Sequence, residues 1–256
     1  MTGLTFSLER TIVIRAPREL VFRYFTDPTR FAAWWGAGSE ITARPGGAVR
    51  IRYPNGVLAS GEVVEVAPPA RIVFTYGYEG ADKPIAPGGS RVTIELAEDD
   101  AGTRLHLRHD VASAAVRDEH AAGWRYQLAL FANVASNEAQ RDAAARVDAF
   151  LAAWSETDAA ARRALLEGCA APAVTFRDAF ACVAGIAELD AHIAASQDHM
   201  PGVVLSRAGE VRHCQGTAVT DWVARRADGV QAASGSNVFE LAPDGRITSA
   251  VGLWSR

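Results

Sequence analysis

The stretch AVRDEHAAGWRYQLALFANVAS, residues 115–136, has the periodicity of a long helix. Before it, short segments alternate apolar and polar residues and are separated by Gly and Pro turns. In one of them Tyr76 and Tyr78 share a face with Ile72 and Phe74. The pattern predicts an antiparallel sheet closed by a long helix. The helical stripe consists of Val116, His120, Gly123, Trp124, Gln127, Leu130, Phe131 and Val134.

The segments that precede the sheet predict a strand, a short helix and an aromatic turn. Residues 11–15 are typical of a strand, and Pro17 occupies the first helical position before an apolar face. The aromatic turn spans residues 31–36.

Several short motifs of the first half occur together in one known superfamily. They are the run Ala16-Pro17-Arg18-Glu19-Leu20-Val21-Phe22, the turns Trp34-Trp35-Gly36 and Pro45-Gly46-Gly47, the pair Gly61-Glu62-Val63 and Pro68-Pro69, and His120 with Gly123-Trp124. With this order of elements, residues 8–138 resemble the START/SRPBCC helix-grip superfamily, in the branch homologous to the heat-shock protein 90 ATPase activator. The resemblance implies a ligand cavity between sheet and helix. It implies no single activity, because binding proteins, cyclases and chaperone-associated modules share this fold.

Polar side chains appear where this domain should be apolar. His109 lies on the inward side of its strand, and His120 and Gln127 interrupt the helical stripe. These side chains either bind a ligand in the cavity, or they are hydrogen-bonded by backbone groups or lie near the mouth of the cavity. For each residue taken alone, the interpretation without a ligand is favoured. Large aromatic residues pose the same choice between ligand contact and core packing. The aromatic candidates are Trp34, Trp35, Tyr76 and Trp124.

The second half predicts three helices on a curved antiparallel sheet. A helix begins after Asp142, a second has its N-cap at Thr157-Asp158, and a third spans residues 185–198. Strands are expected at residues 173–178, 203–213, 216–226, 230–241 and 246–254, the last four joined by hairpin turns.

Motifs in this half point to a second superfamily. They are Trp154 with Thr157-Asp158, the strand Val174-Thr175-Phe176-Arg177-Asp178, Gly185, Asn237-Val238-Phe239-Glu240-Leu241 and Asp244-Gly245-Arg246-Ile247. Residues 143–256 thus resemble the nuclear transport factor 2-like superfamily and its SnoaL-like polyketide cyclase and ketosteroid isomerase relatives. The resemblance implies a cone-shaped α+β barrel. The chain is therefore predicted to be an α+β protein with two domains, residues 1–139 and 140–256.

Asp178 and Asn237 are the catalytic candidates that this resemblance implies. In that family the carboxylate that ends the first strand can abstract a proton, and alternation places Asp178 inward, where burial should raise its pKa. Ketosteroid isomerases build an oxyanion hole from a second carboxylic acid and a tyrosine; Asn237 and Phe150 match these positions. Because Phe150 cannot donate a hydrogen bond, and one lost donor costs about 10²–10³ in rate, true isomerase activity is not expected. A looser acid-base role stays open.

Other residues could line the same interior. Asp221 alternates with Val219 and Val223, so it is either a pocket acid or a solvated residue. His192 and His199 lack the i, i+4 spacing of a helical metal pair, so neither a metal nor a cofactor is expected. The candidate ligand contacts of this half are Phe150, Trp154, His192 and Asp221.

Composition excludes some partners. The 256 residues carry a net charge of −4, so there is no basic excess for nucleic acid. No apolar run approaches the roughly 18 residues of a membrane span, and the N-terminus lacks a signal-peptide core. The three cysteines lack CxxC spacing, so free thiols and a cytoplasmic location are expected.

Three functions are compatible with these features. The favoured one is binding of small hydrophobic or polyketide-like ligands in two cavities. The alternative is an acid-base enzyme of the cyclase, isomerase or dehydratase type that uses Asp178. In the third, the second domain is chiefly a platform for homodimer formation.

Overall fold

The computed structural model describes residues 3–255. The described chain divides into two compact units, with the division between Ser136 and Asn137. Both units are of the α+β class. No helix within residues 3–255 is long and apolar enough to cross a membrane.

The first unit contains a seven-stranded antiparallel sheet in the order β1-β7-β6-β5-β4-β3-β2. The long helix expected at residues 115–136 is present as α3. The elements are β1 (Phe6–Ile14), α1 (Arg18–Arg23), α2 (Pro28–Trp35), β2 (Glu40–Ile41), β3 (Ala48–Arg52), β4 (Leu58–Ala67), β5 (Arg71–Tyr76), β6 (Ser90–Asp99), β7 (Gly102–Val111) and α3 (Ala114–Ala139).

The prediction of an aromatic turn at residues 31–36 is wrong, because most of these residues belong to helix α2. Asp27 is its N-cap, and the Oδ1 atom accepts hydrogen bonds from the backbone N–H groups of Thr29 at 2.9 Å and Arg30 at 3.1 Å. Pro28 begins the helix, where a missing N–H group costs nothing. Asp27 directly before Pro28 is a helix-capping signal that is visible in the sequence.

Phe131 of α3 is the centre of the aromatic core of the first unit. Its ring centroid lies 4.7 Å from Trp34, 5.2 Å from Phe25 and 5.5 Å from Tyr24. All four side chains are buried. Helix α3 is therefore held against α1 and α2, and its N-terminal half lines an open cavity.

The loop between β5 and β6 is tied to the sheet at its beginning. Tyr78 donates its backbone N–H to Ile85 at 2.8 Å, and Glu79 donates to Leu58 at 2.9 Å. Gly77 permits this arrangement, because a Cβ atom there would lie 1.7 Å from the Ala86 carbonyl oxygen.

The second unit has a six-stranded sheet in the order β10-β11-β12-β13-β8-β9, with no pairing among the described residues that closes it. Neighbouring strands are antiparallel, except that β13 and β8 are parallel. Strand β9 was not expected from the sequence. The elements are α4 (Ala143–Ala153), α5 (Ala159–Cys169), β8 (Ala170–Arg177), β9 (Cys182–Ala184), α6 (Ile186–His199), β10 (Val204–Cys214), β11 (Thr217–Arg225), β12 (Gln231–Leu241) and β13 (Ile247–Trp254).

An ion pair joins two helices of this unit. Arg162 of α5 donates from Nε to Oδ1 of Asp190 of α6 at 2.6 Å, and its Nη1 donates to the Glu156 carbonyl at 3.1 Å. The Arg162 side chain is only 6% exposed. Burial this deep requires such partners.

Candidate functional site

A cavity of about 640 Å³ lies in the first unit, beside α2 and the N-terminal half of α3. This volume falls in the range of about 300–1,000 Å³ that is typical of small-molecule sites. The lining residues come from three regions: Ala33, Trp34, Trp35 and Gly36; Tyr53, Pro54, Asn55, Val57, Tyr76, Tyr78, Lys83 and Pro84; and Glu119, His120, Gly123, Trp124, Tyr126, Gln127 and Leu130.

Aromatic rings form much of the cavity wall. Trp34 and Trp35 stack with their centroids 4.2 Å apart, and Trp35 also contacts Tyr53 at 5.8 Å and Trp124 at 5.7 Å. The two tryptophans are buried, and so is Trp124. The structure thus brings together Trp34, Trp35, Tyr76, His120, Trp124 and Gln127, which are six of the seven residues expected to line this cavity.

Among the polar lining residues, three tyrosines and one histidine are hydrogen-bonded in two pairs. The hydroxyl groups of Tyr53 and Tyr76 are hydrogen-bonded at 2.7 Å, and either can be the donor. The hydroxyl of Tyr78 lies 3.1 Å from Nε2 of His120, while Nδ1 of His120 lies 2.8 Å from the Val116 carbonyl. Since a carbonyl only accepts, Nδ1 of His120 carries hydrogen.

These phenols stay uncharged over the whole physiological range. Burial raises the pKa of Tyr53, Tyr76 and Tyr78 above the ordinary phenol value. The cavity interior is therefore polar at the tyrosines without carrying a phenolate charge.

His109 lies behind the cavity and is absent from its lining. Its Nδ1 accepts from the indole N–H of Trp124 at 3.0 Å, so its Nε2 donates to the Ser90 hydroxyl at 2.8 Å. Ser90 in turn donates to the Tyr76 carbonyl at 2.7 Å. The ring is fully buried, and this burial, together with the nearby His120, lowers the pKa of His109 to about 3. The expectation that His109 contacts a ligand is therefore wrong. His109 is a neutral imidazole of the core, and both of its ring nitrogens have hydrogen-bond partners.

Two lining residues differ in how their polar atoms are satisfied. Gln127 donates its side-chain N–H to the Trp34 carbonyl, which fixes α3 to the end of α2. The indole Nε1 of Trp35 is buried and has no hydrogen-bond partner in the described part of the chain. A buried donor without a partner is unusual in a folded protein.

A much smaller pocket, of about 40 Å³, lies in the second unit. Asp178 lines it and is held in place by three donors: Phe180 N at 2.8 Å and Ala181 N at 2.9 Å to Oδ1, and Trp254 Nε1 at 3.1 Å to Oδ2. The other lining residues are Trp154, Phe176, Met200, Leu205, Trp222, Ala224, Asn237, Gly252 and Trp254.

Asp178 and Asn237 approach each other across Gly252. A Cβ atom placed on Gly252 would lie 3.2 Å from Cβ of Asp178 and 3.3 Å from Oδ1 of Asn237. The glycine therefore leaves open the space between the two catalytic candidates. Asn237 is buried, whereas Asp178 is only half-buried.

Three other candidates lie elsewhere. Phe150 is fully buried in the core against Phe239, and His192 packs beside Trp154 without lining the pocket. Asp221 is exposed on the outer face of the sheet and accepts a hydrogen bond from Ser236. The inward residues of β11 are the alternate set Ala218, Thr220, Trp222 and Ala224.

Several lining residues were not predicted, and their sequence signals are uneven. Tyr78 lies two residues after Tyr76 on the same face, so the alternation of this strand indicates that Tyr78 also points towards the cavity. Tyr53 precedes the turn at Pro54 and gave no such signal. As for metals, no cluster of three or more His, Cys, Asp or Glu suited to an ion occurs within residues 3–255.

Comparison with known proteins gives a match for the first unit. Residues 15–136 match the family described as Activator of Hsp90 ATPase homolog 1-like protein, AHSA1. No curated protein matches the chain.

Solved structures are similar to about half of the chain each. An AHSA1-like protein from Rhizobium etli is 32% identical, with 51% of this chain and 81% of that protein covered and a TM-score of 0.42. CalU16 from Micromonospora echinospora is 29% identical, with coverages of 49% and 75% and a TM-score of 0.41. A protein of the SnoaL-like family from Agrobacterium tumefaciens is 28% identical, with coverages of 44% and 96% and a TM-score of 0.42.

Proposed function

Residues 15–136 belong to the AHSA1-like family of the SRPBCC superfamily, and from this we propose that the protein binds a small, largely apolar molecule in the cavity of its first unit. The second half is SnoaL-like, so the chain is a tandem fusion. Proteins with these two folds often bind small ligands or act as cyclases and isomerases.

The observation that carries the proposal is the cavity of about 640 Å³ with its aromatic wall. Rings such as Trp35 and Trp124 offer apolar surface to a ligand, and the tyrosine hydroxyls offer a few polar contacts. A mainly apolar wall with few polar groups is the usual make-up of a small-molecule site. The pocket of about 40 Å³ in the second unit is by itself too small for such a ligand, since one water molecule takes up about 30 Å³ in the liquid, but it shares Asp178, Gly252 and Trp254 with an open pocket of about 470 Å³.

Gly123 allows a direct test of this proposal. It lines the cavity, and a Cβ atom there would meet nothing within 4 Å, so Gly123→Phe can place a ring in the cavity. The control is Gly168→Phe, because Gly168 lies on a helix of the other unit and its Cβ atom would also meet nothing within 4 Å.

The probe is 6-propionyl-2-dimethylaminonaphthalene, a neutral dye whose emission shifts to the blue in apolar surroundings. We expect saturable binding to the parent and to Gly168→Phe, and at least tenfold weaker binding to Gly123→Phe. Equal binding by all three proteins would remove the cavity as the site. Native mass spectrometry of the freshly purified parent then reports any co-purified small molecule.

A second candidate function is acid-base catalysis in the second unit. It is supported by the approach of Asp178 and Asn237 across Gly252, where the carboxylate can act as base and the amide as donor. Phe150 lies in the core, so the missing tyrosine is not replaced at that position.

Hydrogen exchange at carbon tests this candidate. Butanone in D₂O is followed by proton NMR with the parent, Asp178→Asn and the exposed control Asp198→Asn. Catalysis predicts faster loss of the α-proton signal with the parent and the control than with Asp178→Asn. Equal rates with all three proteins contradict it.

We also propose a homodimer that forms through the sheet of the second unit. Val219, Val238 and Val251 are aligned across three neighbouring strands and are only half-buried on the outer face. Such an apolar row favours a partner surface. A cytoplasmic location is proposed as well, and it suits the thiols of Cys169 and Cys182, which form no disulfide within residues 3–255.

A further inference from the structure

The three hydrogen-bonded tyrosines of the lining form one chain with His120. Tyr53 bonds Tyr76 at 2.7 Å, and the Tyr78 hydroxyl lies 3.1 Å from Nε2 of His120. A further side-chain hydrogen bond, between Tyr76 and Tyr78, joins these two pairs. The order along the chain is therefore Tyr53, Tyr76, Tyr78 and His120, so that a phenol stands at one end and an imidazole at the other.

A neutral His120 fixes the direction of every bond in this chain. Nδ1 donates to the Val116 carbonyl at 2.8 Å, so Nε2 of the neutral ring has no hydrogen and accepts from Tyr78. Tyr78 has then used its hydrogen and accepts from Tyr76, and Tyr76 for the same reason accepts from Tyr53. The three hydroxyl hydrogens serve three bonds and none is left over. The Tyr53 oxygen accepts no hydrogen bond within the chain.

Protonation of His120 adds one hydrogen to the chain. The proton comes from solvent and binds Nε2, while Nδ1 keeps its bond to the Val116 carbonyl. Because Nε2 then donates to Tyr78, four hydrogens are available for the same three bonds. When each hydroxyl turns to donate towards Tyr53, the hydrogen of Tyr53 becomes free for an acceptor on a bound molecule.

Tyr53 is the end of the chain that a ligand reaches. It is half-buried and lines the cavity, whereas Tyr76 is only 3% exposed. The ring of Tyr53 packs against Trp35 with the centroids 5.8 Å apart, so this end of the chain adjoins the aromatic wall. An aromatic ligand on this wall can therefore present a substituent to the Tyr53 hydroxyl.

The surroundings of His120 leave it as the member of the chain that changes charge. The neighbouring titratable and charged groups come from several elements: His109 of β7, Tyr76 of β5, Tyr78 just after β5, Lys83 of the following loop and Glu119 of α3. Burial, with a smaller effect of His120 itself, lowers the pKa of His109 to about 3, so this ring stays neutral. Burial raises the pKa of the tyrosines, so they stay neutral as well. Lys83 and Glu119 are exposed to solvent.

We propose that the cavity binds an aromatic molecule with a hydroxyl group, which donates to Tyr53 while His120 is neutral, and that protonation of His120 converts Tyr53 from an acceptor into a donor. This inference rests on the proposed function, because it names the ligand class and the pH response of the same cavity. A ligand that carries only an acceptor, such as an ether, gains from the protonation, whereas a hydroxyl compound loses its advantage. Lys83 can in addition pair with an acidic group elsewhere on the ligand.

Two naphthalenes test the ligand class by competition with the fluorescent dye at pH 8 and pH 5. They are 2-naphthol and 2-methoxynaphthalene, which are neutral at both pH values, and only the naphthol has a hydroxyl hydrogen. An unperturbed imidazole titrates at about pH 6.5, between the two conditions. We expect the ratio of naphthol affinity to ether affinity to be at least threefold larger at pH 8 than at pH 5. An equal ratio at the two pH values, or a larger ratio at pH 5, would overturn the inference.

A hydrocarbon separates this inference from the proposed function. Binding of 2-ethylnaphthalene, which has no polar group, reports at each pH whether the cavity still takes an apolar molecule. If it binds while the ratio is independent of pH, the cavity is a binding site without the proposed response. Absence of binding by the dye and by all three compounds at pH 8 would overturn both. If the hydrocarbon binds at pH 8 and not at pH 5, the variants below decide the matter at pH 8 alone.

Variants at the two ends of the chain assign the response to it. His120→Leu removes the titrating group and Tyr53→Phe removes the group that meets the ligand, so in both the ratio should be independent of pH and at least threefold below that of the parent at pH 8. Tyr24→Phe is the matched control, because Tyr24 lies outside the lining and donates to the Val134 carbonyl at 3.1 Å; it should keep the parent's ratios. Parent-like ratios in His120→Leu or Tyr53→Phe would overturn the role of the chain. If one of these two variants does not bind 2-ethylnaphthalene, the other supplies the measurement.

Discussion

The indole N–H of Trp124 donates to Nδ1 of His109 at 3.0 Å, and this bond fixes the tautomer of a fully buried imidazole. With Nδ1 accepting, Nε2 carries the hydrogen that is donated to Ser90. Helix α3 and strands β6 and β7 are thereby joined by polar contacts within an apolar core. Such contacts matter for stability, because removing one partner leaves the others buried and unsatisfied.

The first prediction concerns the stability that His109 provides. His109→Ala should lower the free energy of unfolding by about 2–4 kcal/mol, because it leaves a void and strands the Trp124 donor. His106→Ala is the matched control on the same strand, since His106 is half-exposed and its ring bonds Thr11 at the surface. Urea unfolding followed by tryptophan fluorescence measures both. Equal effects of the two variants would contradict the buried network.

The second prediction is a pH dependence of stability from the same residue. Burial lowers the pKa of His109 from 6.5 to about 3 in the folded state, so between these values the unfolded chain binds a proton that the folded chain does not. The stability is therefore complete above pH 6.5 and falls as the pH decreases towards 3. Between pH 7 and pH 5 the loss from His109 should be about 2 kcal/mol. A parent that loses no more stability than His109→Phe over this interval would exclude this protonation.

The third prediction compares two ion pairs of the second unit. Asp190→Ala leaves the buried guanidinium of Arg162 without its carboxylate and should cost about 3–5 kcal/mol. Glu167→Ala removes an exposed partner of Arg163 and should cost less than about 1 kcal/mol. Thermal unfolding of both variants gives the comparison. Similar melting temperatures of the two variants would show that burial of an ion pair does not determine how much it contributes to stability.

The fourth prediction concerns two glycines with opposite surroundings. Gly123→Ala should stabilise the protein by about 0.5–1 kcal/mol, because its Cβ atom meets nothing and alanine favours a helix. Gly77→Ala should destabilise it strongly, since its Cβ atom would overlap the Ala86 carbonyl at 1.7 Å. Calorimetry of the two variants provides the measurement. Destabilisation by Gly123→Ala would mean that the helix does not have this open position.

The fifth prediction concerns assembly. Sedimentation equilibrium at micromolar concentration should give a dimer for the parent and a monomer for Val238→Glu, which places a charge in the apolar row. Val204→Glu, on the edge strand β10 and already exposed, should remain dimeric. A monomeric parent would remove the proposed interface.

The sequence predicted the order of the helices and strands well, because their periodicity is local. It also placed His109 inward correctly, from the alternation with Leu105 and Leu107. It could not show that both ring nitrogens are used within the core, since the partners Trp124 and Ser90 come from other elements. The interpretation of His109 as a ligand contact depended on this non-local fact.

The face of β11 was misjudged for a different reason. Val219 and Val223 made one face look apolar, and Asp221 was placed inward with them. The inward face is the alternate one, with Trp222 and Ala224, because apolar residues occur on both faces of this strand. A period of two alone cannot distinguish such faces. Volume also lies beyond a sequence pattern, so nothing in the sequence indicated that the aromatic cavity of the first unit reaches about 640 Å³.

The tied loop after Gly77 carries Lys83 to the lining of the cavity. Lys83 is the single lysine of the sequence, so the chain has one side-chain amine, and it lies at an exposed part of the cavity lining. Among the side chains, an amine-selective acylating reagent therefore labels Lys83. Its rate of labelling at Lys83, read by peptide mass mapping, becomes a chemical record of whether the cavity is occupied.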